Sequence, residues 1–245
     1  MSASLTPRHW DSMFFGFSVA EMNGHGIDDQ CLAEVLLAAQ RDRVDLVYWR
    51  ADPRRKVSQG LLDRFAGQLV DRRIKYRLSL SKSDVGCAGD ACQTVSERAA
   101  GPATPDLVEL AIAAGQFSRF KVDRRFPAEL FEALYRTWID RSARHEIADA
   151  VLVAPTGDAG ISGLATISFD GESGTIGLIS VREAERGRGI GRALMAASHR
   201  WMADHGLHQS YVTTQECNKA ACALYERCGY RVAERSLIYH FWPIK

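Results

Sequence analysis

The sequence predicts an α/β protein built on a mixed β-sheet flanked by helices. Three observations lead there. Helical and strand periodicities alternate through the first eighty residues. Three strand-like segments between Ala150 and Val181 read as an antiparallel meander. A glycine- and arginine-rich turn then joins the last of them to an amphipathic helix. The 245 residues are 46% hydrophobic, so a core can form and global disorder is excluded.

Leu32, Val35, Leu36 and Ala39 recur at helical spacing, which predicts a helix over 29–42. Leu46–Trp49 reads as a short buried strand. Leu61, Leu62, Phe65 and Leu69 read as a second helix, and Tyr76–Leu80 alternates like a strand. Residues 82–105 are crowded with Gly, Pro and Ser and read as a linker. A helix is expected from Asp106, with Leu107, Leu110, Ala111 and Ala114 on one face. Another follows Pro127, carrying Leu130, Phe131, Leu134, Tyr135 and Trp138 along one side. Strands are expected at Ala150–Ala154, Ile161–Phe169 and Thr175–Val181, with Asp170–Gly174 as the tight connection. Ile190, Leu194, Ala197 and Trp201 mark the buried face of the next helix. The expected division is an N-terminal αβ unit over 1–100, the linker at 82–105, and a larger unit over 106–245.

Lys plus Arg number 31 against 30 Asp plus Glu, for a net charge of +1. Neither half carries a large excess, which argues against a nucleic-acid partner. No apolar run approaches the ~20 residues of a membrane span, and the start lacks a secretory pattern. A cytoplasmic protein is expected, with its six cysteines as thiols. They form no C-x-x-C pair, so no metal site is expected.

The chemistry concentrates after Val181, in the run Arg186-Gly187-Arg188-Gly189-Ile190-Gly191-Arg192. Glycine removes the Cβ that would keep a ligand from the backbone. The first N–H groups of a helix lack internal partners and point outward at the positive end of its dipole. Together these make a phosphate cradle, with Arg186, Arg188 and Arg192 around it. A plain glycine-rich turn with solvated arginines is the simpler alternative. A dinucleotide fingerprint fails, because Arg192 or Leu194 stands where its third glycine should be, and the G-K-[ST] of a P-loop is missing.

What remains is Arg186-x-x-Gly189-x-Gly191, which resembles the acyl-CoA motif of the GCN5-related N-acetyltransferases, the GNAT superfamily. The run Asn218 to Tyr230 resembles that family's second motif, N-x-x-A-x-x-x-Y-x-x-x-G-F/Y. Here it is carried by Asn218, Ala221, Tyr225, Gly229 and Tyr230. The resemblance implies a GNAT fold, acetyl-CoA as acetyl donor, and a strand at Leu178, Ile179 and Val181 that pairs with the pantetheine arm. Gly187, Gly189, Gly191, Asn218 and Ala221 would join that binding site. Tyr225 would be the catalytic residue. A phenol has a pKa near ~10, close to that of an alkyl thiol, so it can protonate the departing thiolate. A backbone N–H near Val181 would stabilise the oxyanion. Many members place a carboxylate base on the central strand, but Thr175–Val181 contains none. A bound water is the first choice, with His145, Glu146 and Asp149 as weaker candidates.

Asp11-Ser12-Met13-Phe14-Phe15-Gly16 and Ser118-Arg119-Phe120 resemble the dTDP-fucosamine acetyltransferase group within that superfamily. That implies transfer to the 4-amino group of a nucleotide-linked 4-amino-4,6-dideoxyhexose. Phe14, Phe15, Ser118, Arg119 and Phe120 become candidate substrate contacts, with core packing as the alternative for the phenylalanines. Arginine suits bidentate phosphate recognition, which marks Arg119 for the diphosphate. The alternatives are another amine acceptor, or an acyl-CoA-binding module without activity. A homodimer stays open. The ~100 residues beyond a typical GNAT unit are expected to help build the acceptor site.

Overall fold

The computed structural model describes residues 4–80, 95–156 and 160–243. Its framework is a mixed sheet of ten strands among the described residues, in the order β1-β2-β3-β10-β4-β9-β8-β7-β6-β5. The strands are β1 (Ser4–Pro7), β2 (Val19–Asn23), β3 (Leu46–Ala51), β4 (Gln68–Ser79), β5 (Ser96–Glu97) and β6 (Ala150–Pro155). They continue with β7 (Ile161–Asp170), β8 (Ser173–Val181), β9 (Gln209–Gln215) and β10 (Arg231–Phe241). The helices are α1 (His9–Phe15), α2 (Asp29–Arg41), α3 (Gln59–Arg64), α4 (Pro105–Ala114), α5 (Arg119–Val122), α6 (Ala128–Ala143), α7 (Ile190–Asp204) and α8 (Lys219–Arg227). No helix of the described residues is long and apolar enough to cross a membrane.

The expected α/β class with a mixed sheet is what the structure has. Helix α2 starts where Asp28 accepts the Cys31 N–H (2.8 Å), a side-chain cap that satisfies an otherwise orphaned donor. It buries Leu32, Leu36 and Ala39 against Trp49 and Phe65. Strands β6, β7 and β8 form the expected meander.

Several expectations change. Leu69 belongs to β4, not to a helix with Leu61 and Phe65. Ala66 adopts a left-handed backbone (φ 47°), which stops α3, and the strand begins two residues later. The strand expected at Tyr76–Leu80 is thus the far half of a twelve-residue one. On α7 the fully buried residues are Ala193, Leu194, Met195, Ser198 and Met202. Ile190, Ala197 and Trp201 lie at the margin of that face. The aromatic segment near the start includes helix α1.

The boundary expected at 82–105 falls partly on residues 81–94, outside the described residues. Strands from both sides of it share one sheet. The last strand, β10, pairs antiparallel with β3 on one side and β4 on the other, and β4 pairs with β9. Cys31, Cys217, Cys222 and Cys228 are free thiols; Cys87 and Cys92 lie outside the described residues.

Gly115 ends α4 directly against the ring of Tyr135 on α6, where an added Cβ would overlap the ring. Tyr135 is buried, so the ring has little room to retreat. Gly115→Ala is therefore expected to cost roughly 1–3 kcal/mol by overpacking, measured by urea unfolding. An unchanged midpoint would show that the contact between α4 and α6 is loose.

Candidate active site

Strands β8 and β9 run parallel and pair over only four residues, from Ser173 opposite Gln209 to Ile176 opposite Val212. Beyond that they separate. The cause is local: β8 has a bulge opposite Thr166, between the pairs Ile167–Ile176 and Ala165–Ile179. The Thr166 hydroxyl accepts the Leu178 N–H there (2.9 Å). The residues of β8 from Gly177 onward consequently have no β9 partner. They line a cleft of about 900 Å³ together with Val212–Gln215 of β9 and the start of α8.

Side chains alternate across a strand, so the cleft opens on both faces of the sheet. Val212 of β9 and Ile74 and Tyr76 of β4 pack with α7 and α8. Thr213 and Gln215, and Asp71 and Arg73, therefore point to the other face, where Ser118, Arg119, Phe120, Tyr135 and Trp138 line the same cleft.

On the first face the glycine loop leads into α7. Gly187 and Gly189 have φ of 82° and 83°, a conformation that favours glycine, and Gly189 is the N-cap. The first intrahelical bond is from the Ala193 N–H to the Gly189 carbonyl (3.0 Å). The N–H groups of Ile190, Gly191 and Arg192 precede it and sit at the cleft mouth. Space above Gly187 and Gly189 is open, as an anion cradle requires. Arg186, Gly187, Gly189, Gly191 and Arg192 all line the cleft, with Leu178, Ile179, Val181, Asn218 and Ala221. Arg188 does not. Its exposed side chain pairs with Glu185 (2.8 Å) at the rim.

Helix α8 is anchored at both ends. Asn218 accepts the Ala221 N–H (3.2 Å) as N-cap, and Gly229 turns the chain with φ 88°. Tyr76 donates to Glu226 (2.9 Å) and stands edge-on to Tyr225, ring centroids 5.7 Å apart. Tyr225 is 3% exposed and lines the cleft. Its hydroxyl has no hydrogen-bond partner among the described residues. Burial lifts its pKa above the ordinary phenol range, and the nearby thiols of Cys222 and Cys228 act in the same direction. It stays a proton donor at any physiological pH.

On the second face, the guanidinium of Arg119 lies 4.2 Å from the Tyr48 ring and 4.7 Å from that of Phe120. Arg73 is nearby, its pKa lowered by burial and by its neighbours Arg50 and Arg119. The loop carrying α5 is pinned by Asp123, which accepts from His240 Nδ1 (2.8 Å) and Trp242 Nε1 (2.9 Å). Burial pushes the His240 pKa down to about 4, so the imidazole is neutral at physiological pH.

Some expected site residues are elsewhere. Phe14 and Phe15 do not line the cleft. Phe15 is buried against Phe120 and Phe126, and Phe14 stacks on Trp10, because α1 folds its aromatic side onto the α5–α6 segment. They support Phe120 from behind. His145, Glu146 and Asp149 are also away from it. Glu146 pairs with Arg141 (3.0 Å), and Asp149 accepts the Phe169 N–H (2.9 Å). The reading of the sequence missed Asp71, Arg73 and Gln215. One signal was present: a carboxylate inside a strand is unusual.

Asn218→Ala is expected to cost about 1 kcal/mol in urea unfolding, and Asn218→Ser to retain most of the stability. Equal losses for both would show that the cap bond is not what holds the helix start.

Residues 117–230 match the model described as Acetyltransferase (GNAT) family. A GCN5-related N-acetyltransferase from Sphaerobacter thermophilus has a similar fold, with a TM-score of 0.61 at 16% identity over 99% of this chain and 76% of its own. A functionally unknown conserved protein from Staphylococcus epidermidis ATCC 12228 gives 0.63 at 13% identity, over 93% and 85%. A tandem GNAT protein from the clavulanic acid biosynthesis pathway gives 0.56 at 14%, over 93% and 76%. No curated protein matches the sequence. At such identities the structures speak for the fold alone. Residues 117–230 are thus similar to the GNAT acetyltransferase family model, and the whole chain has a fold of the type seen in these structures.

Proposed function

We propose that the protein is an acetyl-CoA-dependent N-acetyltransferase whose acceptor is the 4-amino group of a dTDP-linked 4-amino-4,6-dideoxyhexose. The observation that carries the reading is the gap between β8 and β9, with Tyr225 on one side of it and Arg119 on the other. Acetyl-CoA, as substrate, supplies an acetyl group already activated as a thioester. The helix start at Ile190–Arg192, with Arg186, would hold its phosphates. The unpaired edge of β8 at Leu178–Val181 would bind its amide arm as a further strand. A backbone N–H of the same edge would stabilise charge developing on the carbonyl oxygen.

Tyr225 then protonates the departing sulfur. Its raised pKa keeps the phenol protonated, and the residue is among those that line the cleft. No covalent enzyme intermediate is required, because the amine attacks directly. The choice of acceptor rests on the segments at Asp11–Gly16 and Ser118–Phe120, and on the charge near Arg119. A second cation, Arg73, stands beside it, which suits an anionic acceptor such as a sugar nucleotide.

Two measurements test this. Release of CoA is followed with acetyl-CoA and a panel of nucleotide-linked amino sugars. Turnover is expected with a dTDP-linked 4-amino sugar, and none with any 4-amino sugar refutes the acceptor. Tyr225→Phe is expected to bind acetyl-CoA as the parent does and to turn over roughly 10²–10³ times more slowly. An unchanged rate, with chemistry rate-limiting, removes Tyr225 from the mechanism.

A further inference from the structure

The second face of the cleft also holds a buried carboxylate. Asp71 lies on β4 and is 9% exposed. It lines the cleft, on the side opposite the α8 packing face. Its Oδ1 is buried and has no hydrogen-bond partner among the described residues. A buried carboxylate oxygen without a partner is costly, so such atoms mark places where a ligand completes the site.

The groups facing Asp71 are few. Arg73 comes from its own strand, Gln215 from β9, Arg119 from α5 and Tyr135 from α6. On β10 its register partner is the apolar Ile238. Burial pushes the Asp71 pKa up to about 6, while Arg73, Gln215 and Arg119 hold it from rising further. The group is ionised at neutral pH and poised close to it, which is where a base works best.

We propose that Asp71 receives the acceptor amine in the cleft and takes its proton during acetyl transfer. This rests on the acetyl-transfer reading above. A proton passes from the ammonium nitrogen to Asp71 Oδ1. The freed lone pair forms the C–N bond to the acetyl carbonyl carbon. The nitrogen, cationic after attack, gives its second proton to solvent. The C–S bond breaks with its electron pair going to sulfur, and sulfur takes the proton of Tyr225. Asp71 returns its proton to solvent, and solvent refills the phenol. Base and acid thus enter the gap from opposite faces of the sheet. Their environments differ in the required sense, one group held ionised and the other held protonated. The carboxylate comes from the N-terminal half of the chain, which gives β4 a part in the chemistry as well as in the sheet.

The test uses the full chain and three variants: Asp71→Asn, Asp71→Glu and Tyr225→Phe. CoA release is measured from pH 5 to 9 with dTDP-linked 4-amino sugars, glucosamine, free amino acids and a short peptide as acceptors. With whichever amine the parent acetylates, Asp71→Asn is expected to lose 100-fold or more in kcat/KM. It is also expected to lose the acid limb near pH 6. Asp71→Glu should keep that limb and part of the rate, and all three variants should bind acetyl-CoA like the parent.

Folding is checked by melting. A carboxyl whose folded pKa is raised above 3.8 weakens the fold above pH about 6, and that weakening is gone below pH about 4. Asp71→Asn should therefore melt above the parent at pH 8 and with it at pH 4. An active parent with Asp71→Asn within threefold of it overturns the assignment of Asp71 and leaves acetyl transfer standing. A slower variant that keeps the acid limb overturns it too, because Asp71 would then only position its neighbours. No turnover with any amine overturns both readings.

Discussion

The site depends on one limit to backbone pairing. Parallel strands stay together only while their hydrogen bonds remain in register. In β8 the bulge opposite Thr166 ends that register after Ile176. From there β8 and β9 must diverge, and the opening between them is the cleft. A regular β8 would close it and pair the edge that the substrate is proposed to use. The bulge is kept by packing on both sides. Leu178 packs toward α4 and α6, and Ile179 and Val181 toward α7 and α8.

Everything else brings groups to that opening. Arg182, just past β8, pairs with Asp106 (3.0 Å) and Glu109 (2.9 Å) of α4, which holds the mouth of the cleft to the helical layer. Helix α7 presents its bare N-terminus there because Gly189 can take a left-handed turn. Helix α8 presents Tyr225 because its cap and the Tyr76–Glu226 bond fix its roll. On the far face an aromatic cluster of Phe15, Phe120, Phe126 and Trp242 stiffens the segment that carries Arg119. The hydrogen bonds of Asp123 tie that cluster to β10. Rigid elements therefore hold both halves of the cleft.

How much of this was legible in the sequence follows from the range of the forces involved. The glycine loop and the Asn218–Gly229 helix are local, so residue spacing reports them directly. The bulge at Gly177–Leu178 is not local, because it needs Thr166 from the neighbouring strand. Asp71 and Arg73 were hidden for the same reason. Their place in the site is set by β4 pairing with β9, a partner more than a hundred residues away in sequence. Leu69 misled because a spacing of four suits a helix, while the reversal at Ala66 depends on a backbone angle that periodicity does not encode. Phe14 and Phe15 show the converse. A run of aromatics reads equally well as a ligand contact or as packing, and only the position of α1 decides.

The placement of β10 between β3 and β4 has a consequence for how the chain folds. Strand β10 lies near the middle of the sheet, so β3 and β4 cannot both be flanked by their final neighbours until residues 231–241 have been synthesised. Until then the N-terminal half holds two open strand edges and an uncovered apolar surface that includes Trp49 and Phe65. Closing the sheet joins segments about 150 to 190 residues apart, a contact pattern associated with slow folding and with exposure to aggregation before completion.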